Sequence, residues 1–387
     1  FKAIGLIFVF GISLGSLYLV NLFFMKPISI DHYLGKEVVL GLFDSPESMT
    51  YMGVFDEYNW ITKHNSSLSI PKHEDLEEGI NDAKKSLDIL TSYKDSSLTN
   101  NQKITKRIAM FDIENGLRQS EFFPYHDYPL NQVRGIHHSI ISFMSDMHPI
   151  RNHDEAKDFI KRTDLAKDVY AGVLDGLQRQ AAEGIFAPEF VYAHVIEQLN
   201  EMINYSFDEH PLYTQFMKKA ELLEISEEEL TSLESQLILS IENSVTPGFT
   251  LLRDFMVSTE ASANPHHGIW SQPNGDEFYK LRIRTYTTTD YSPQKIHDMG
   301  ISEVARISKR MKEILVSLGY DEDKTVGALM NELNEDPSML YEDTFDRKEI
   351  VLRDYTDMVN EATEAIKGYF HSMPKAPVVV KAVPEYI

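Results

Sequence analysis

The sequence predicts a mainly α protein, a large multi-helix assembly preceded by one N-terminal transmembrane helix. Three observations carry that prediction. Apolar residues recur at helical spacing along most of the chain beyond residue 61. Helix-start signals, a Ser or Thr before glutamates or before a proline, stand at the head of several of those stripes. Residues 3–25 form an unbroken run of 23 without a charge.

That run lies between Lys2 and Lys26-Pro27. As a helix it would cover roughly 34 Å, enough for a hydrocarbon core of about 30 Å. A cleaved signal peptide is the competing reading, but its apolar core is roughly 7–15 residues and ends at a small-x-small site. The stretch YLVNLFFMK offers no such site. An uncleaved anchor is therefore expected, with the body outside the cytoplasm, at an inner membrane facing the periplasm, or secreted if the segment is removed.

Residues 26–60 read as a tether and lead-in segment closing on the aromatic cluster Tyr51, Phe55, Tyr58 and Trp60. A helical domain is expected over 61–387, incomplete at its C-terminal end. Within it, Leu76, Ile80, Ala83, Leu87 and Leu90 share one helical face. Ser226-Glu-Glu-Glu229 forms a capping box ahead of the stripe Leu230, Leu233, Leu237, Ile241 and Val245. Thr246-Pro247 should stop that helix and start another, because proline fits a first turn and not an interior. Ser292-Pro293 opens a segment whose stripe runs Ile296, Gly300, Val304, Ile307, Met311, Leu315 and Leu318, with Gly319 as its stop. A last helix is expected from about Thr344 to Tyr369, turning Ile350, Tyr355, Met358, Ala362, Ile366 and Tyr369 inward. Only Val378 to Val383 looks strand-like.

With 60 acidic against 37 basic residues, the formal charge is −23. Such a surface repels a phosphate backbone, so nucleic acid is excluded as a partner. The absence of cysteine excludes disulfides, thiolate nucleophiles and Cys-ligated metals. No nucleotide-binding glycine loop, G-x-S-x-G or His-Glu-x-x-His occurs, and His73-Glu74 is followed by Asp-Leu-Glu. Histidines cluster as His137-His138, His148 with His153, and His266-His267. Neighbours on a helix point about 100° apart, so a pair such as His137-His138 fits polar packing better than a shared ion. No metal ligand and no catalytic residue is assigned.

The densest stretch is WSQPNGDEFYKLRIRTYTTTDYSPQKIHDMG, from Trp270 to Gly300. Pro273-Asn274-Gly275 makes a turn, and Asp276 can cap a helix bearing Phe278, Tyr279, Leu281, Arg282 and Tyr286. Arginine, tyrosine and threonine around a loop between helices could hold a peptide carboxylate or backbone. The alternative is that the arginines pair with nearby acids and the threonines satisfy helix ends.

This stretch is similar to the signature of a bacterial family known as domain of unknown function 885. The matching positions are Pro273, Gly275, Tyr279, Thr287, Thr288, Pro293, Ile296, His297, Gly300, Glu303 and Val304. Tyr128-Pro129-Leu130 and the stretch from His153 to Pro188 resemble it more loosely. The family resembles helical zinc metallopeptidases, secreted or membrane-attached. The resemblance implies a peptide substrate, and zinc as a cofactor of the full-length protein, held by a motif expected beyond residue 387. It also implies a substrate shell in the distinctive segment, at Arg284, Tyr286, Thr288 and His297. The alternative function is a non-catalytic helical binding or scaffold protein at the cell surface.

Overall fold

A computed structural model describes Ser13, residues 15–122 and residues 128–383. It divides into two compact units, Phe1–Asp290 and Tyr291–Ile387. The boundary falls inside the stretch that the sequence reads as one helical domain. The described residues are mainly helical and contain no strand. Val378 to Val383 is accordingly irregular, because an extended segment needs a partner strand to satisfy its backbone.

The first part of the uncharged run lies outside the described residues. Its remainder is helical over 15–24. Among the described residues no helix is long and apolar enough to cross a membrane. Residues 26–60 are more structured than a tether. Helix α1 (Ile30–Phe43) starts at Ser29, whose hydroxyl accepts from Asp31 N, and α2 (Pro46–Met52) starts at Ser45 with proline in its first turn. Both turn residues into the body, burying Ile30, Tyr33 and Met49.

A small core forms where Ile30 and Tyr33 meet Leu90 and Tyr93. Leu90 belongs to α3 (His73–Ser92), which packs on α4 (Asn100–Glu121). The expected face of α3 is inward: Leu90 is buried, and Leu76, Ile80, Ala83 and Leu87 are half-buried.

The main core is built from the helices that follow. After the short α5 (Ile136–Ser142) come α6 (His153–Asp164), α7 (Ala166–Ala182), α8 (Glu189–Asn204), α9 (Pro211–Ala220), α10 (Glu227–Ser240) and α11 (Thr246–Thr259). Helices α7 and α8 both pack on α11, and α6 packs on α10. Phe159, Tyr170, Val195, Phe216, Leu237, Phe249 and Leu252 are closed off from solvent there. Each such side chain contributes roughly 1.5–3 kcal/mol of burial free energy.

The capping box at Ser226 forms as read, with Glu229 N bonded to the Ser226 hydroxyl at 3.2 Å and Ser226 N to the Glu229 carboxylate at 2.9 Å. Pro247 does not end the helical path as expected. The chain passes from α10 into α11 through one wide turn, Ile241–Val245, closed by Thr246 N–H on the Ile241 carbonyl. A π-type turn admits the proline ring and its missing donor without a break. Ile241 and Val245 therefore stay buried on the same stripe.

Helix α12 (Gly275–Thr287) closes the first unit and packs on α4. Its cap is Asn274, at φ 55°, and not the expected Asp276, which falls in the first turn. In the second unit, α13 (Pro293–Ser317) starts at Ser292, whose hydroxyl accepts from Lys295 N. It stops at Gly319, where φ of 97° and the bonds Gly319 N to Val316 O and Tyr320 N to Leu315 O make a left-handed termination that favours glycine. Helices α14 (Val326–Glu335) and α15 (Arg347–Ile366) complete it. The inward stripes expected here are not realised: among the described residues of this unit only Leu315 and Leu329 are buried, while Val304, Ile307, Tyr355, Met358 and Tyr369 are exposed. Three helices of which only α13 and α14 pack closely leave those faces uncovered.

Candidate functional site

The first unit holds a cavity of about 380 Å³ between the head of α3, the loop leading into α5, and α7. Its walls come from Pro71, Tyr128, Pro129, Ile136 and the Gly172-Val173 face of α7. Helix α7 can approach because position 172 has no side chain. A Cβ there would lie 2.3 Å from the Pro71 carbonyl oxygen.

The opposite wall is held by local bonds. Asn131 accepts from Val133 N at 3.1 Å and Arg134 N at 2.7 Å, and Ile136 N bonds Pro129 O at 2.9 Å. Gln198 donates to Gln132 O at 3.1 Å. The hydroxyl of Tyr128 accepts from Gln272. Burial pushes that phenol up to about 12, so it stays neutral.

Lys72 and Arg134 stand exposed at the rim, and neither has an ion-pair partner among the described residues. The one acid lining the cavity, Asp175, is paired with Arg179 at 2.8 Å. Nδ1 of His73 is buried in this region with no hydrogen-bond partner among the described residues. Apolar walls, two uncommitted cations and an unfilled imidazole nitrogen suit a ligand with an apolar body and an anionic end.

The distinctive segment is organised differently. Arg284 is committed within the unit: its guanidinium pairs with Asp290, reaches Asn115 Oδ1 at 3.3 Å and lies over the Phe111 ring at 5.1 Å. Tyr286 is exposed, and its hydroxyl accepts from Arg282 at 2.6 Å. Thr288 caps α12 at φ 53°, with its N–H on Arg284 O at 2.8 Å. These three residues gather at one end of α12. His297 is an exposed residue of α13 in the second unit.

The histidine clusters are occupied by packing. His137 is buried, bonded to Gln198 at 3.2 Å and tilted against the His138 ring, with centroids 4.2 Å apart. Burial first, and then the His138 charge, pull its pKa down to about 4. His266 lies against Trp270 and His267 against Phe190, both at 5.0 Å. Among the described residues no group of three or more His, Cys, Asp or Glu could hold a metal ion.

The basic rim was not singled out from the sequence. Lys72-His73 and Arg134 lie far apart in the chain, and no periodicity links them. The turn signal Asn131 to Gly135 was the available clue.

Fold and cavity together define a mainly helical framework with a ligand-sized pocket in its first unit. The chain belongs to the family described as bacterial protein of unknown function (DUF885), whose profile matches residues 46–387. No curated protein matches it in sequence. Its fold is similar to that of a candidate lipoprotein from Colwellia psychrerythraea, at 24% identity and a TM-score of 0.79, covering 89% of this chain and 62% of that one. A candidate lipoprotein of unknown function from Shewanella oneidensis is similar at 13% identity and a TM-score of 0.60, with 92% and 61% covered. The chain thus spans about three fifths of the length of these solved relatives.

Proposed function

We propose that this chain is the substrate-binding body of a membrane-anchored, extracytoplasmic peptide hydrolase, and that the cavity of the first unit receives the C-terminal end of a peptide. The observation that carries the proposal is the rim: in a chain of net charge −23, Lys72 and Arg134 flank an apolar pocket without an acid partner among the described residues. A carboxylate supplies the missing charge, and an apolar terminal side chain fills a space of about 380 Å³. Both solved relatives are candidate lipoproteins, which favours a position outside the cytoplasm. Residues 3–25 are the anchor in this reading.

Zinc is the cofactor expected of the whole peptidase. The described residues do not fit it, since no cluster of ligands is present among them. No step of hydrolysis is therefore derived from them, and this chain's part is binding and orientation.

The test is calorimetric titration of the chain with short peptides ending in an apolar residue, as free acids and as amides. Free acids are expected to bind about tenfold more tightly, the effect of one charge-assisted hydrogen bond. Arg134→Ala and Lys72→Ala should each erase most of that difference. Equal binding of acid and amide would overturn the cavity assignment. Zinc content of the full-length protein, with loss of turnover on chelation, tests the hydrolase separately.

A further inference from the structure

We propose that a second cleft of the first unit binds a neutral saccharide, with Trp60 as the platform for one pyranose ring. The cleft, of about 600 Å³, opens between the one-turn helix Asn59–Thr62 and the head of α6. It shares no described lining residue with the cavity assigned to peptides, so the two sites are tested separately.

Charge argues against an ionic ligand. Four carboxylates line the cleft, and four cations balance them. Arg151 pairs with Asp56 at 2.7 Å and with Glu155 at 2.6 Å, and Lys161 pairs with Asp158 at 3.1 Å. Asp154, Lys63 and Lys157 supply the rest and are exposed. In a chain of net charge −23 this local balance leaves little field to draw in either sign. The acids do not converge either, since among the described residues no group of three or more could hold a metal ion.

The floor is polar and fixed in place. Asp158 is 9% exposed and accepts from Asn59 Nδ2 at 2.8 Å on one oxygen and from Lys161 on the other. An ionised carboxylate has about four acceptor sites, so roughly two are left. Asn59 Oδ1 accepts from Asn65 N at 3.0 Å, and Asn152 Oδ1 from Glu155 N at 3.0 Å, which orients both amides. One N–H of Asn59 and both of Asn152 remain without a partner among the described residues. Spare acceptors beside spare donors match hydroxyl groups, each of which donates and accepts at once. Side chains already held by their own bonds lower the ordering cost of binding.

Trp60 supplies the apolar half of the site. It is 76% exposed on the wall of this polar cleft. A pyranose ring carries hydroxyls at its edge and C–H groups on its face. It can lay the face on the indole while the edge reaches the carboxylate and amides of the floor. A purely apolar ligand would desolvate the floor and return no hydrogen bond.

The test uses cellotetraose, maltotetraose and chitotetraose, neutral oligosaccharides that differ in linkage and in N-acetylation. The full chain is titrated with each by calorimetry, and tryptophan emission is followed in parallel. At least one is expected to bind and to shift the emission. Trp60→Ala should weaken that binding about tenfold, with the thermal unfolding midpoint unchanged because the side chain is exposed. Trp60→Phe keeps an aromatic face, so binding should persist while the emission change is lost, Trp270 being the only other tryptophan. Absence of binding by all three sugars up to about 10 mM overturns the proposal. So does binding that Trp60→Ala leaves intact, and so does a shift of Trp60 emission by phosphatidylcholine vesicles that no sugar reproduces, which would make the indole a lipid contact.

Discussion

The guanidinium of Arg162 donates to Nδ1 of His148 at 3.1 Å in the interior of the first unit. Arg162 is fully buried, and no carboxylate lies within ion-pair distance among the described residues. Its other bonds go to Ser67 O at 2.8 Å, Thr50 Oγ1 at 2.9 Å and the His64 carbonyl. One side chain thus ties α2, the turn after residue 63 and the loop before α6 onto α6. Desolvation lowers its pKa to about 10, so it stays charged near neutral pH. Arg162→Met removes the donor and leaves several buried acceptors empty. A loss of about 3–5 kcal/mol is expected in urea unfolding. A loss under 1 kcal/mol would show that the tie is not structural.

The same interior predicts sensitivity to acid. His148 is held down to about 3 by burial and by Arg162, and burial lowers His137 and His210 to about 4. All three are neutral when folded and titrate near 6.5 when unfolded. Their contribution is complete above pH 6.5. It is lost as pH falls from there toward the folded values, because the unfolded chain takes up protons first. Each can cost up to about 1.4 kcal/mol per pH unit in that window. Unfolding free energy measured from pH 7 to 4 should fall steeply, and His137→Gln should flatten the curve.

Periodicity made the first unit readable because its stripes find partners. Leu233, Leu237, Ile241 and Val245 are buried as expected, and the Ser226 and Ser292 caps form as read. The same rule misplaced α15, whose apolar residues are spaced correctly but face solvent. Spacing says which residues share a face and is silent on whether anything covers that face. The passage through Pro247 was also hidden, since a wide turn has no composition of its own. The cavity was least legible of all. Its cations become neighbours only after α3, α5 and α7 have packed.

Gly172 tests how that cavity is built. Its hydrogen faces Pro71 O, and a Cβ would meet that backbone oxygen at 2.3 Å and the Pro71 ring at 3.2 Å. Backbone cannot yield as a flexible side chain can. Gly172→Val should displace the segment carrying Lys72 and His73 from α7 and destabilise the unit by about 1–3 kcal/mol. Peptide binding should weaken more than in Arg134→Ala, because both walls and a cation move. A variant that binds normally would place the ligand elsewhere.

Thr288 separates a structural role for the distinctive segment from a functional one. It is β-branched, lies in the left-handed region at φ 53°, and its side chain is exposed. That conformation costs a residue of this kind roughly 1–2 kcal/mol, part of which glycine would recover against its larger loss of chain entropy. Thr288→Gly should therefore raise unfolding free energy by about 1 kcal/mol while Arg284 keeps its pairing with Asp290. Strain maintained on an exposed threonine is expected where its hydroxyl contacts a ligand. If Thr288 belongs to the substrate shell, turnover by the full-length protein falls in Thr288→Gly and survives in Thr288→Ser. A stabilised Thr288→Gly protein with unchanged turnover would confine Thr288 to ending α12, and leave the basic rim as the only part of this chain assigned to substrate.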